Sequence, residues 1–389
     1  MQGRIRHNRS VSFLRHRMPV WPLVAILVAT TAYVLAARKR DLWDFEVFRT
    51  AGVRVIAAEP LYRPDDGHYQ FKYWPAFALA MTPFALLSEE AGKPIWYAMS
   101  VALLAVFIRR SIRALPDRQR STQLLTWCAL LLTGKFIVKE LANGQVNILT
   151  GVLLITALMA IQAKRPRTSG LLIGVAILLK PYALILLPWL GATRRWPAFA
   201  SSLAVVAAGL VAPALIYGWA GNLQLLADWY RTVSETTAPN LLTAENISLA
   251  TMWAKWVGVG STASLLALGT TLAIGALVAT LLAVRQHVAD PDYLEVAILL
   301  LVVPLLSPQG WDYVLLLGTP AIVCLVDRWH NLTAPWRVVL VVSLALTSFS
   351  IYDVYGRTLY LQAMALSLGS VGALALAVAL ANLRRLRLA

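Results

Sequence analysis

Apolar runs of about 20 residues follow one another along most of this chain, separated by short stretches where proline, glycine and basic residues gather. A helix rises about 1.5 Å per residue, so each run is long enough to cross a hydrocarbon core about 30 Å thick. The pattern predicts an all-α polytopic membrane protein of about twelve spans. They fall at 18–37, 92–110, 122–138, 146–162, 168–179, 181–193, 197–217, 261–284, 293–306, 312–327, 336–352 and 358–381. The fifth and sixth are too short to cross fully and meet at Lys180-Pro181. Short, proline-interrupted helices buried among others line cavities, so an outward-opening cavity is expected there. Trp74–Leu87 is also apolar, but it is short and contains Pro75 and Pro83. Counting it as a span would put Arg109, Arg110, Arg113, Arg118 and Arg120 on the outer side, against the positive-inside rule. It is therefore read as an interfacial helix.

Ahead of it, Phe45, Phe48, Gly52 and Val55 recur at spacings of three, four and three. That predicts a short amphipathic helix lying on the membrane surface, apolar side down. Both helices belong to a long first outer loop, 39–91, which would roof the cavity. No stretch is polar enough for a separate soluble domain, so residues 1–389 read as one membrane-embedded domain with a basic cytoplasmic arm at 1–17. The run after that arm is too long for a signal peptide, and Arg38-Lys39-Arg40 is no small-residue cleavage site, so a retained first span is expected.

Composition agrees. The chain is 59% hydrophobic, only 14% charged and has a mean hydropathy of +0.65, which excludes an ordinary soluble domain. Net charge is +16. In a polytopic protein that reflects cytoplasmic loops facing anionic lipid, and no nucleic-acid partner is expected. The two cysteines, Cys128 and Cys324, lie within apolar runs and read as core residues. His7, His16, His68, His287 and His330 show no ligand spacing, so no metal site is expected; His68 reads as a solvated loop residue. Asp290-Pro291-Asp292 matches a short metal-binding triplet but falls in an inner loop. Asn8-Arg-Ser and Asn331-Leu-Thr fit the glycosylation triplet but face inward, away from any glycosylation machinery.

The candidate chemistry starts at Asp41 and Asp44, three residues apart and so on one face of a helix. Carboxylates beside a bilayer are costly to desolvate and mark a working site or a water-facing loop. Here a solvated loop balancing Arg38, Lys39 and Arg40 is the plainer alternative. Lys180 would be expensive to bury without a partner, unless it snorkels to the outer interface. Lys135 and Lys139 near the outer end of the third span pose the same question. Gln145 and Asn147 beside Gly144 suit either a helix cap or hydrogen bonds to sugar hydroxyls.

These residues fall into an ordered set of short motifs. They are Asp44-Phe45, Ala51-Gly52, Pro60-Leu-Tyr62, Phe71-Lys-Tyr-Trp-Pro75, Asn143-Gly-Gln-Val-Asn147, Lys180-Pro181, Asn246-Ile-Ser-Leu249 and Ser307-Pro-Gln-Gly-Trp-Asp-Tyr313. Over about residues 40 to 320 the chain resembles the alpha-mannosyltransferase-like glycosyltransferases, family 87 (DUF2029) of the GT-C superfamily. The resemblance implies a GT-C-type bundle and a hexosyltransferase, a mannosyltransferase above all. It also implies transfer from a polyprenyl-phosphate sugar to a lipid or glycan acceptor at the outer face; the basic arm and short inner loops put both termini in the cytoplasm and suggest a cell inner membrane, with that face periplasmic. Asp44 takes the place of the family's general base; Asp41 has no motif match and is a substrate-binding candidate from its spacing alone, or a neighbour that tunes the Asp44 pKa. Lys180, Lys139, Gln145, Asn147, Asn246, Tyr73 and Trp311 are the implied substrate-binding residues, without any cofactor. Where some relatives carry histidine after the Trp-Asp pair, this chain has Tyr313 and Val314. The alternative from another class is a transporter or lipid-linked sugar flippase. Transporters show internal repeats and mid-span ionisable residues; here no repeat is visible and the acids cluster in the first loop.

Overall fold

The computed structural model describes residues 42–385, apart from the side chains of Asp353 and Arg385. The arm at 1–17, the span expected at 18–37 and Asp41 lie outside the described residues. The described chain is all helical, its only extended pairing being a single bridge between Asn246 and Trp311. Two helices, α4 (Glu89–Ala114) and α12 (Ser261–Ala283), are each long and apolar enough to cross a membrane. Two bent pairs pass the same test: α9 (Trp196–Val211) with α10 (Ala214–Thr237), bent by 90°, and α16 (Tyr352–Ala365) with α17 (Leu368–Arg385), bent by 61°. Along α12 only Ala263, Ile274 and Leu281 are buried, and Leu265, Leu268 and Leu272 point outward. An apolar surface of this kind is stable against lipid and not against water. The chain is a helical membrane protein.

At its centre stands α13 (Asp292–Leu306), in which every residue from Tyr293 to Leu305 is buried. A helix apolar on all sides must be surrounded, and here α14 (Thr319–Asp327) and α17 pack on it. Around them run α5 (Thr122–Asn143), α6 (Asn147–Gln162), α7 (Pro166–Leu179) and α15 (Ala334–Ser348). The bundle has two distinct ends. At one end α5 stops, α6 starts, α7 stops and α13 stops, around a cavity. At the other, Tyr293 donates to the Ser111 carbonyl (2.7 Å), Asp327 accepts from the backbone N–H groups of Gln119 and Arg120 (2.9 and 2.8 Å), and Arg384 donates to the Pro291 carbonyl (2.7 Å).

The first loop folds as expected in outline. Helix α1 (Trp43–Ile56) is followed by a 3-10 turn at Pro64–Tyr69 and two short helices, α2 (Pro75–Ala80) and α3 (Thr82–Ala85). Six and four residues cannot span a bilayer. One expectation needs correction. The apolar face of α1 does not lie on lipid: Phe45 and Phe48 are fully buried against Trp96 of α4, with Phe48 also edge-on to Phe77 at 5.0 Å. Periodicity names the buried face, not what covers it. The region after the seventh predicted span is also different. Helix α9 ends at Val211, before Pro213, and α10 turns away and breaks again at Gly218 (φ 70°). A stacked pair, Trp74 on Trp229 (3.7 Å), with the Trp229 indole donating to the Lys72 carbonyl (3.2 Å), ties α10 to the first loop beside the cavity. The last predicted span, 358–381, is likewise two helices joined at a bend around Leu366–Ser367.

Candidate active site

The cavity encloses about 730 Å³, within the usual range for small-molecule sites. The start of α1 and residues 68–73 form one wall, Val303–Trp311 the opposite wall, and α10 a side. Lys180, Pro181, Tyr182 and Ile185 line it from the break between the two short helices. That break follows directly from sequence. Pro181 cannot continue α7, and the chain passes through a 3-10 turn at Pro181–Ile185 into α8 (Leu186–Ala192). Lys180 therefore sits in an extended conformation between two helix ends (φ −140°, ψ 110°), with its side chain free to turn into the cavity.

Asp44 lies in the first turn of α1 and lines the cavity. A helix N-terminus favours negative charge there. Phe45 beside it is locked into the protein, which fixes the helix rotation and aims Asp44 inward. Gly144 permits this approach. At φ 71° it is left-handed, and a Cβ on it would meet the Phe45 Cβ at 2.9 Å. Burial raises the Asp44 pKa from its ordinary value, while a hydrogen bond with Gln145 and the positive charges of Lys180, Lys72 and His68 oppose that rise. The result is a carboxylate more basic than a solvated one, facing the cavity. That is what a general base requires.

Lys180 does not snorkel. Its Nζ donates to the Tyr73 hydroxyl (2.8 Å) and to Gln145 Oε1 (3.0 Å) and stands 4.4 Å from the Tyr73 ring centre. Tyr73 in turn donates to Gln145 Oε1 (3.1 Å). The structure thus brings Asp44, Tyr73, Gln145, Lys180 and Trp311 to one cavity. His68 and Lys72 also line the cavity; His68 is exposed there, in the first-loop turn where its position put it. Tyr313 also lines it, at the position where some relatives have histidine.

Three expected residues stand behind the cavity and do not line it. Asn147 is fully buried and donates to Glu140 Oε2 (2.6 Å). Asn246 clamps the far wall: its Oδ1 accepts from the N–H groups of Ser248 (3.0 Å) and Gly310 (3.2 Å), and its amide donates to the Asn240 (3.0 Å) and Pro308 (3.3 Å) carbonyls. Lys139 pairs with Asp312 and Glu245, both at 3.0 Å, and Lys135 with Asp312 at 2.9 Å. Their charge already has protein partners, and buried ion pairs are costly to open. Glu140 went unremarked in the sequence, and Asp312 was noted only as part of a motif, with no role of its own. The signal was present, since a charged residue inside an apolar run is rare. At the opposite end, Asp292 is held by Arg195 (2.6 Å) and Arg285 (2.8 Å), an ion-pair role far from the cavity.

A helical membrane protein whose bundle opens at one end on an acid and a cation has a cavity suited to proton transfer and to holding an anion. Comparison with known proteins gives the class. The model of glycosyltransferase family 87 matches residues 71–308, more than half of the chain, and the chain belongs to that family. The match takes in Tyr73, Gln145, Lys180 and Asn246; Trp311 falls just beyond it and Asp44 well before its start. The chain is 34% identical over 213 residues to a polyprenol-phosphate-mannose-dependent alpha-(1-2)-phosphatidylinositol pentamannoside mannosyltransferase of Mycolicibacterium smegmatis, covering 53% of this chain and 51% of that one. It is 27% identical over 173 residues to an alpha-(1->3)-arabinofuranosyltransferase of Corynebacterium glutamicum, covering 43% and 41%. The matched stretch thus spans about half the length of these curated relatives or less.

Proposed function

We propose that this protein transfers one sugar, a hexose such as mannose, from a polyprenyl-phosphate donor to a hydroxyl of a lipid or glycan acceptor, with Asp44 as general base. The observation that carries this reading is that Asp44 and Lys180 face the same cavity. The acceptor oxygen attacks the anomeric carbon, the bond from that carbon to the phosphate oxygen breaks, and its electron pair leaves with the polyprenyl phosphate. The acceptor proton passes to Asp44. One displacement inverts the anomeric centre once. Lys180, held by Tyr73 and Gln145, offers its ammonium to the leaving phosphate, where charge grows as the bond breaks. The polyprenol-phosphate-mannose dependence of the mannosyltransferase relative supports the donor class. The apolar cavity wall at Val303, Leu306 and Ile185 suits the first units of an isoprenoid chain.

In this reading the bundle threads the membrane in about twelve passes, as one domain with cytoplasmic termini, and the cavity end is periplasmic. The distribution of arginines supports it: Arg113, Arg118, Arg120, Arg194, Arg195, Arg285 and Arg328 lie at or beside the end opposite the cavity. A monophosphate donor carries one phosphate for the protein to neutralise, and cationic side chains do that without a divalent ion. The test is incubation of purified protein with a panel of radiolabelled polyprenyl-phosphate sugars and a membrane lipid extract, with and without EDTA. Transfer of label from one donor, undiminished by EDTA, is expected. No transfer from any polyprenyl monophosphate, or transfer only with added manganese, would overturn the reading.

A further inference from the structure

Lys180 is a half-buried cation at the cavity wall whose hydrogen bonds all go to neutral groups, the Tyr73 hydroxyl and the Gln145 carbonyl oxygen. Among the described residues no carboxylate forms an ion pair with it, although an isolated ammonium away from water is unstable as a charge. Two acids flank it. Asp44 stands on the cavity side, and in the reading above its own charge changes during each turnover. Glu140 stands on the protein side, 1% exposed and outside the cavity lining. Its carboxylate is fully engaged: Oε2 accepts from Asn147 Nδ2 at 2.6 Å and Oε1 from the Ile148 N–H at 3.0 Å, at the first turn of α6. Asn147 Oδ1 in turn accepts from the hydroxyl of Tyr182, two residues beyond Lys180 and part of the cavity wall. One buried carboxylate therefore ties the end of α5, the start of α6 and the turn after Lys180 into a single polar unit behind the lysine.

We propose that Glu140 is a positioning residue, a fixed counter-charge that keeps Lys180 an ammonium while leaving its N–H donors directed at the cavity. This rests on the reading of Lys180 as the partner of the donor phosphate. A direct Glu–Lys contact would hold the ammonium back and spend its charge, as Asp312 does for Lys135 and Lys139. An acid set one layer behind, and anchored by its own hydrogen bonds, supports the charge without occupying its donors. The Asn147–Tyr182 arm holds the break after α7 in place, so the counter-charge and the lysine keep their spacing. Asn147 thus takes part in the site from behind the cavity wall.

The experiment compares the full-length protein with Glu140→Gln, Glu140→Asp and Lys180→Met. The readouts are transfer from labelled polyprenyl-phosphate mannose into lipid extract across pH, binding of polyprenyl phosphate alone, and thermal stability. The titratable groups around Lys180 and its two acids are Asp44, Glu140, Tyr73, Tyr182, Tyr313, Lys72 and His68. Of these only the first two are carboxyl groups, able to carry negative charge. Glu140→Gln keeps the side-chain shape and an acceptor for Ile148 but removes the charge. Transfer should fall about tenfold or more, polyprenyl phosphate should bind more weakly, and the alkaline limb of the pH profile should move to lower pH. Glu140→Asp should leave that limb at the wild-type position, even with a reduced rate. A wild-type rate and limb in Glu140→Gln would overturn the proposal. So would equal impairment of both Glu140 variants at every pH with reduced stability, the signature of a helix cap alone. If Lys180→Met transfers normally, the phosphate reading falls and this proposal with it. If Lys180→Met is inactive while Glu140→Gln behaves as wild type, only the role of Glu140 is lost.

Discussion

Asp44, the proposed base, carries a cost to the fold. Burial lifts its pKa above that of a free aspartate, so the folded protein holds the proton more tightly than the unfolded chain does. Its ionised form therefore subtracts from stability as pH rises through the interval between the unfolded and the raised value. Two outcomes are expected. Transfer should fall on acidification along a limb above the ordinary aspartate range, because the base must be ionised. Lys72→Met should shift that limb to higher pH, since Lys72 is one of the charges that oppose the rise. A pH–rate series on both proteins checks this; an unmoved limb would remove Lys72 from the electrostatics of the site. At this scale Asp44, Lys180, Tyr73 and Gln145 were legible because acid, cation and amide are conspicuous beside apolar runs. Asn147 and Asn246 were legible as notable, but not in function. Whether an amide faces a cavity or clamps the loop behind it depends on partners far away in sequence, such as Gly310 for Asn246.

At the scale of elements, the break at Lys180 depends on how α7 is held. Helices α7 and α9 approach through glycine: a Cβ on Gly170 would come within 2.1 Å of the Ala198 carbonyl oxygen, and one on Gly174 within 2.6 Å of the Val205 Cβ. Small residues four apart let backbones meet in this way inside a membrane. Gly174→Val should force the two apart at a cost of about 1–3 kcal/mol, seen as a lower melting temperature and lower yield. It should also reduce transfer, because α7 carries Lys180 at its end. Unchanged stability would mean that the α7–α9 contact is not tight. The short helices at Lys180-Pro181 and the absence of a span at Trp74–Leu87 were readable, since proline marks both. The 90° turn between α9 and α10 was not anticipated. Hydropathy counted 212–217 as membrane, while Pro213 and Gly218 break the helix within and just after it. Nor could the pattern of Phe45, Phe48 and Val55 say that protein, and not lipid, covers α1.

For the whole molecule, the two ends of the bundle differ in chemistry. Arginines and their acids close one end, and an aromatic, mixed-charge cavity opens the other. If the cavity end is periplasmic, a cysteine placed at exposed Tyr69, beside the cavity, should react in intact cells with a membrane-impermeant maleimide. One placed at exposed His287 should react only after permeabilisation. The reverse pattern would invert the threading. The class of fold was legible from composition and run lengths, because apolar surface in such amount is stable only in lipid. The assembly of a site from residues 44, 73, 145 and 180 was legible only through the order of the motifs, since loop closure over such distances leaves no local trace.

The central claim, that this cavity transfers a sugar with Asp44 as its base, is tested most directly by single-turnover transfer from a labelled polyprenyl-phosphate sugar by wild type and Asp44→Asn. Asparagine keeps size and hydrogen bonding but cannot take the acceptor proton. The account predicts a rate lower by about 10²–10⁴, with a melting temperature equal to or above that of wild type, because a costly buried charge has been removed. Transfer by Asp44→Asn at the wild-type rate, or label trapped covalently on Asp44 of the wild type, would contradict it.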